Sequence, residues 1–125
     1  LREKKVQKVV EFIPDQEVIG PAEADLLVVG WGGSFGALVS AVNDLREEGK
    51  SIALAQFNYI NPLPANTAEV FSGYKKILVC ELNLGQFASY LRSKHPQYEY
   101  LQYNKVQGLP FGNVELLEKF KELMK

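Results

Sequence analysis

Side chains that transfer protons, hold metal ions or attack carbonyl groups are scarce in this 125-residue sequence, which has one histidine and one cysteine. His95 stands before Pro96 at the expected end of a helix, where a basic residue favours the negative helix terminus. Cys80 lies in the apolar run Ile77-Leu78-Val79-Cys80 and reads as a small core residue. Neither has a second Cys or His with which to build a metal site. Glu81 differs, because it ends a strand of the buried type, where a carboxylate needs either a cation such as Lys105 or backbone N–H groups. The remaining stretch with chemical potential is Gly30-Trp31-Gly32-Gly33-Ser34-Phe35-Gly36, a glycine turn whose free N–H groups could hold an anion. It departs from the dinucleotide fingerprint in two ways. The third glycine comes one residue late, behind Phe35, and the next strand ends on Asn58 where an acidic residue would hold a ribose. No Gly-Lys-Ser/Thr follows, which excludes a P-loop.

The elements that must position these residues follow from apolar spacing. Leu26-Leu27-Val28-Val29 has no alternation and suits a strand covered on both faces. From Ser34 the spacing becomes helical, with Leu38, Ala41, Val42 and Leu45 on one side, which predicts a helix over 34–48. Gly36, in its first turn, is expected to face the preceding strand. Strands are expected over 51–59, 76–81 and 100–103, helices over 84–94 and from 113 onward, and a short helix after a cap at Asn66 or Thr67. Glu17-Val18-Ile19 reads as a short edge strand, and Asn61-Pro62-Leu63-Pro64 as a turn. Alternating strands and helices give an α/β fold with a mostly parallel sheet of about five strands and helices on both faces. Residues 1–15, with Val6, Val9, Val10 and Ile13 at helical spacing, read as a helical tether from an upstream domain, and 16–125 as the domain itself.

Composition narrows the class. With 46% hydrophobic and 23% charged residues and a net charge of −1, the sequence gives no electrostatic reason to expect nucleic acid or an anionic membrane as partner. No apolar run approaches the roughly 20 residues that span a bilayer. The lone cysteine fits a cytoplasmic location. The sequence begins with Leu1 and its only methionine is Met124, so it reads as a piece of a longer protein.

In parallel sheets the working surface lies beyond the carboxyl ends of the strands. After the first strand these ends carry Trp31, Gly32, Gly33, Ser34 and Phe35, and after the second Tyr59, Asn61 and Pro62. The third supplies Glu81, Asn83, Leu84, Gly85 and Gln86, and the fourth Lys105, Gln107, Gly108, Pro110 and Phe111. Amides, glycines and apolar anchors with few titratable groups suit a protein interface better than proton transfer. These residues form the candidate interface; no catalytic, cofactor-binding or metal-binding residue is assigned. A free-standing module binding a nucleotide or small anion at Gly30 to Gly36, and a purely structural dimerisation domain, are the alternatives.

Four of these stretches, Leu26-Leu27-Val28-Val29-Gly30-Trp31-Gly32, Tyr59-Ile60-Asn61-Pro62-Leu63-Pro64, Cys80-Glu81-Leu82-Asn83-Leu84-Gly85-Gln86 and Asn104 to Phe111, resemble the C-terminal domain of the alpha subunit of 2-oxoglutarate:ferredoxin oxidoreductase. The resemblance implies a three-layer αβα fold like the transketolase C-terminal domain. It also implies an enzyme complex with a beta subunit, thiamine diphosphate and an iron–sulfur cluster, in which a 2-oxoacid and coenzyme A become acyl-CoA and electrons pass to ferredoxin. In that setting this domain supplies architecture, packs on an upstream domain of its own subunit, and is inactive in isolation. One departure is local: the family's Gly-Ser-Thr after the tryptophan is Gly32-Gly33-Ser34 here, which displaces any hydroxyl contact by one position.

Overall fold

The structure, a computed structural model, describes residues 13–82, 85–105 and 110–125. The expected tether therefore lies outside the described residues as far as residue 12. Strand β1 (Ala24–Trp31) leads through a 3-10 turn (Gly32–Ser34) into helix α1 (Phe35–Glu47). There follow β2 (Ile52–Phe57), α2 (Thr67–Phe71), β3 (Tyr74–Glu81), α3 (Gln86–Lys94), β4 (Tyr100–Asn104) and α4 (Asn113–Leu123). The sheet order is β2-β1-β3-β4, with every pairing parallel.

Unbroken apolar sequence in β1 serves both faces of the sheet, because successive side chains point to opposite sides. Leu26 and Val28 pack with Leu38, Val42 and Leu45 of α1 and Leu116 and Phe120 of α4. On the other face Leu27 and Val29 join Phe71 of α2 and Phe87, Ala88 and Leu91 of α3. This is the three-layer αβα arrangement. Each fully buried Leu contributes about 1.5–3 kcal/mol, whereas an exposed pair such as Lys75–Asp25 at 3.2 Å contributes about 0–1 kcal/mol. The two cores, and not surface ion pairs, hold the domain together. No helix among the described residues is long and apolar enough to cross a membrane.

The fifth strand contracts to a single antiparallel bridge, Ile19 to Leu54. What holds this strap against the edge of β2 is a set of amide hydrogen bonds. Asn66 mimics a strand partner for Gln16, accepting its N–H at 2.7 Å and donating to its C=O at 3.0 Å, while the Gln16 amide donates to the Gln56 carbonyl at 2.8 Å. Asn66 thus does not cap α2 with its side chain.

Gly36 corrects an expectation: it is exposed, and a Cβ built there meets nothing within 4 Å. The close approach occurs at Gly30 instead. A Cβ there would overlap the Leu38 side chain and stand 2.6 Å from Gln56 Oε1.

Candidate functional site

Because β1 is flanked by β2 on one side and β3 on the other, the fold reverses its direction of winding between β1 and β3. A crevice outside the carboxyl ends of such neighbouring strands is the usual ligand position in open α/β sheets. Here Glu81 fills it. Its side chain is buried at the end of β3, Oε1 accepting from Phe87 N–H at 2.7 Å and from the Trp31 indole N–H at 3.2 Å, and Oε2 accepting from Ala88 N–H at 3.0 Å. The acceptor thus satisfies two of the otherwise unpaired amides at the start of α3 and meets the positive end of its dipole. Gly85, at φ +88, turns the backbone into that helix from the left-handed region, with the Gln102 and Asn104 side chains closely over it. Lys105 is engaged elsewhere, on Glu115 of α4, whose carboxylate also accepts from Gly112 N–H. The Lys105 hydrogen bond first, then the Gly112 N–H, hold Glu115 below the usual carboxylate range.

The other candidates divide by exposure. Trp31 is half-buried, its ring 5.9 Å from that of Phe87, which in turn meets Phe57 edge-on at 5.4 Å. Ser34 is buried and donates to Trp31 O at 3.2 Å, so the displaced hydroxyl closes its own turn. Phe111, expected as a surface anchor, is instead a core residue, its ring tilted against that of Tyr103 at 5.3 Å. Pro110 and Gln86 are exposed, and Asn61 and Pro62 form a cis peptide bond. Asn83, Leu84, Gln107 and Gly108 lie outside the described residues. The exposed large apolar groups of this edge, among the described residues, are Phe35 (42%), Tyr59 (44%), Leu82 (38%) and Val114 (69%) in the first turn of α4. Leu82 was legible in principle, since the residue after an inward Glu81 points the other way.

Phe35 and Tyr59 share a cavity of about 540 Å³ with Gly32, Gln56, Asn58 and the strap residues 14–17. Gln56 donates from Nε2 to Gly32 O at 3.2 Å, while its Oε1 has no partner among the described residues. In the dinucleotide fingerprint the first glycine makes the tight turn and the second lets the backbone approach pyrophosphate. Beside Gly30, the first, Leu38 and Gln56 take the space, whereas Gly32, the second, has open space around it.

The remaining reactive groups are inward or remote. Burial, then the charge of Glu81, pushes the Cys80 thiol far up. His95 follows the last turn of α3, at the opposite end of the sheet from Glu81, and packs edge-on against Phe71 at 6.4 Å, with burial lowering its pKa.

Residues 24–116 match the family described as pyruvate:ferredoxin oxidoreductase core domain II. The chain belongs to this family. Among relatives of this core domain II protein, the 2-oxoglutarate oxidoreductase subunit KorA of Mycobacterium tuberculosis is 40% identical over 112 residues, covering 89% of this chain and 17% of KorA. The alpha subunit of 2-oxoacid:ferredoxin oxidoreductase 2 from Aeropyrum pernix is 30% identical, covering 98% of this chain and 20% of its own. The sequence thus spans about a fifth of the length of these curated relatives. The structure of 2-oxoglutarate:ferredoxin oxidoreductase from Magnetococcus marinus with 2-oxoglutarate, coenzyme A and succinyl-CoA bound superposes with a TM-score of 0.91 at 28% identity, over 99% of this chain and 22% of that one. A split-gene transketolase, at a TM-score of 0.52 and 16% identity over 86% of this chain and 40% of that one, shares the fold alone.

Proposed function

We propose that this core domain II protein is a non-catalytic assembly domain of the alpha subunit of a 2-oxoglutarate:ferredoxin oxidoreductase. The parent complex converts 2-oxoacid, coenzyme A and oxidised ferredoxin to acyl-CoA, carbon dioxide and reduced ferredoxin in the cytoplasm. Residues 1–15 tether the domain to the upstream part of its subunit, and the strand-end edge packs on neighbouring parts of the enzyme, the beta subunit among them. One observation carries the reading. Glu81, Ser34 and the Trp31 indole at the edge are hydrogen-bonded within the domain, Gln56 Oε1 being the one buried polar side-chain atom among the described residues without a partner, while Phe35, Tyr59 and Leu82 stand out as apolar anchors. That combination suits a protein partner.

The relatives' enzyme class uses thiamine diphosphate and iron–sulfur clusters. Cluster ligation takes several cysteine thiolates, and this sequence has one cysteine, buried between the sheet and the α1 face. A diphosphate carried on a divalent cation needs clustered oxygen ligands, and among the described residues no three His, Cys, Asp or Glu side chains group to hold a metal ion. The residues described do not fit either group; the domain's part is to hold neighbouring subunits rigid and keep water from a reactive intermediate formed elsewhere.

Replacing both Phe35 and Tyr59 by serine in the full-length subunit tests the reading. Assembly with the beta subunit, followed by co-purification and sedimentation, should weaken by about 2 kcal/mol or more, with an unchanged melt. A folded double variant that assembles normally would move the interface to another face.

A further inference from the structure

Burying a carboxylate is costly unless its hydrogen bonds and charge are both compensated. Among the described residues no cation lies within ion-pair distance of Glu81; its partners are two amides, an indole N–H and the end of a helix dipole. A Ser, Asp or Asn at the helix start would cap α3 with far less desolvation, yet Gly85 stands there and offers no side chain. What Glu81 does that a local cap could not is to reach three elements at once. Its carboxylate joins the Trp31 end of β1 to the first turn of α3, and its backbone carbonyl accepts from Lys105 N–H at 2.8 Å beyond β4. Each of the two segments that this carboxylate joins carries an exposed apolar residue nearby in sequence: Phe35, one 3-10 turn beyond Trp31, and Leu82, directly after Glu81.

From this we infer that Glu81 is a positioning residue for assembly: it ties the turn after β1 to the start of α3, so that Phe35 and Leu82 meet a partner as one rigid surface. The inference rests on the docking role proposed for this edge. Preorganisation of this kind raises affinity without adding contacts, because the ordering cost is met before association. Neither Trp31 nor Glu81 need touch the partner for this to hold.

Two variants separate the tie from the fold. Trp31→Phe keeps an aromatic ring against Phe87 and removes only the indole donor. Glu81→Gln keeps the side-chain shape, but turns an N–H donor toward one of the two α3 amides. In the full-length subunit, amide hydrogen exchange should show reciprocal effects: Trp31→Phe accelerates exchange at 86–88, and Glu81→Gln accelerates it across 31–36, while Leu27 and Val79 in the sheet keep their protection. Assembly with the beta subunit should fall about tenfold in Trp31→Phe, the weight of one hydrogen bond to a charged acceptor. Exchange changes confined to the segment carrying each substitution would overturn the tie. Reciprocal exchange with undiminished assembly of Trp31→Phe would overturn the positioning role. The Phe35 and Tyr59 double variant, run alongside, reports separately on whether this edge docks at all.

Discussion

Gly30 shows how much can depend on a missing methyl group. Its open side is filled by Leu38 and by Gln56 Oε1, so a Cβ would force both to shift. We expect Gly30→Ala to cost about 1–3 kcal/mol, as overpacked core sites do. Gly36→Ala, on an exposed helical position, should instead stabilise by about 0.4–1 kcal/mol through the unfolded state. Thermal melts of the two variants should move in opposite directions; an unshifted Gly30→Ala melt would mean that Leu38 repacks freely. The sequence placed the tight glycine at 36 by analogy with the fingerprint glycine that packs helix on strand. The helical phase says otherwise: with Leu38, Ala41, Val42 and Leu45 inward, Gly36 stands about 200° round the helix from Leu38 and points outward. Glu81 was half legible: that it needed partners followed from its apolar neighbours, but the choice between Lys105 and backbone amides depended on Glu115, 34 positions later, taking the lysine.

At the level of elements, strands and helices were legible wherever apolar periodicity runs long enough. β1 with its doubly buried run, and α1 with Leu38, Ala41, Val42 and Leu45 inward, match their expected faces. The edge strand at 17–19 was the exception, since three residues carry too little pattern to separate a strand from a strap. Its attachment instead depends on Asn66, a residue the sequence suggested only as a helix cap. Asn66→Ala removes both hydrogen bonds to the Gln16 backbone, and at about 0.5–1.5 kcal/mol each the loss should be about 1–3 kcal/mol. Urea denaturation measures that loss, and limited proteolysis should cut the variant faster between residues 14 and 20 as the strap lifts from the β2 edge. Equal cleavage of variant and native protein would show that the Ile19–Leu54 bridge alone holds the strap.

For the whole molecule, the disposition of ionisable groups determines what the domain can do by itself. The carboxyl-end edge presents Glu81, saturated by N–H donors, and Lys105, paired with Glu115. His95, the group nearest to working pH, lies at the far end of the sheet, and burial disfavours its charged form, so its proton is held even less readily at neutral pH. Cys80 is sealed between sheet and helix with its thiol pushed far up, so it supplies neither a nucleophile nor a cluster ligand. Oxidative decarboxylation of a 2-oxoacid needs an electron sink and an electron acceptor, and no arrangement of these groups replaces them. The isolated 125-residue protein, given 2-oxoglutarate, coenzyme A, thiamine diphosphate and a viologen acceptor, should therefore reduce none of the acceptor above the blank. The full complex, assayed in parallel, supplies the positive signal. A cofactor-dependent rate from the isolated domain would place chemistry on an edge whose Glu81 and Lys105 the structure shows already committed to the fold.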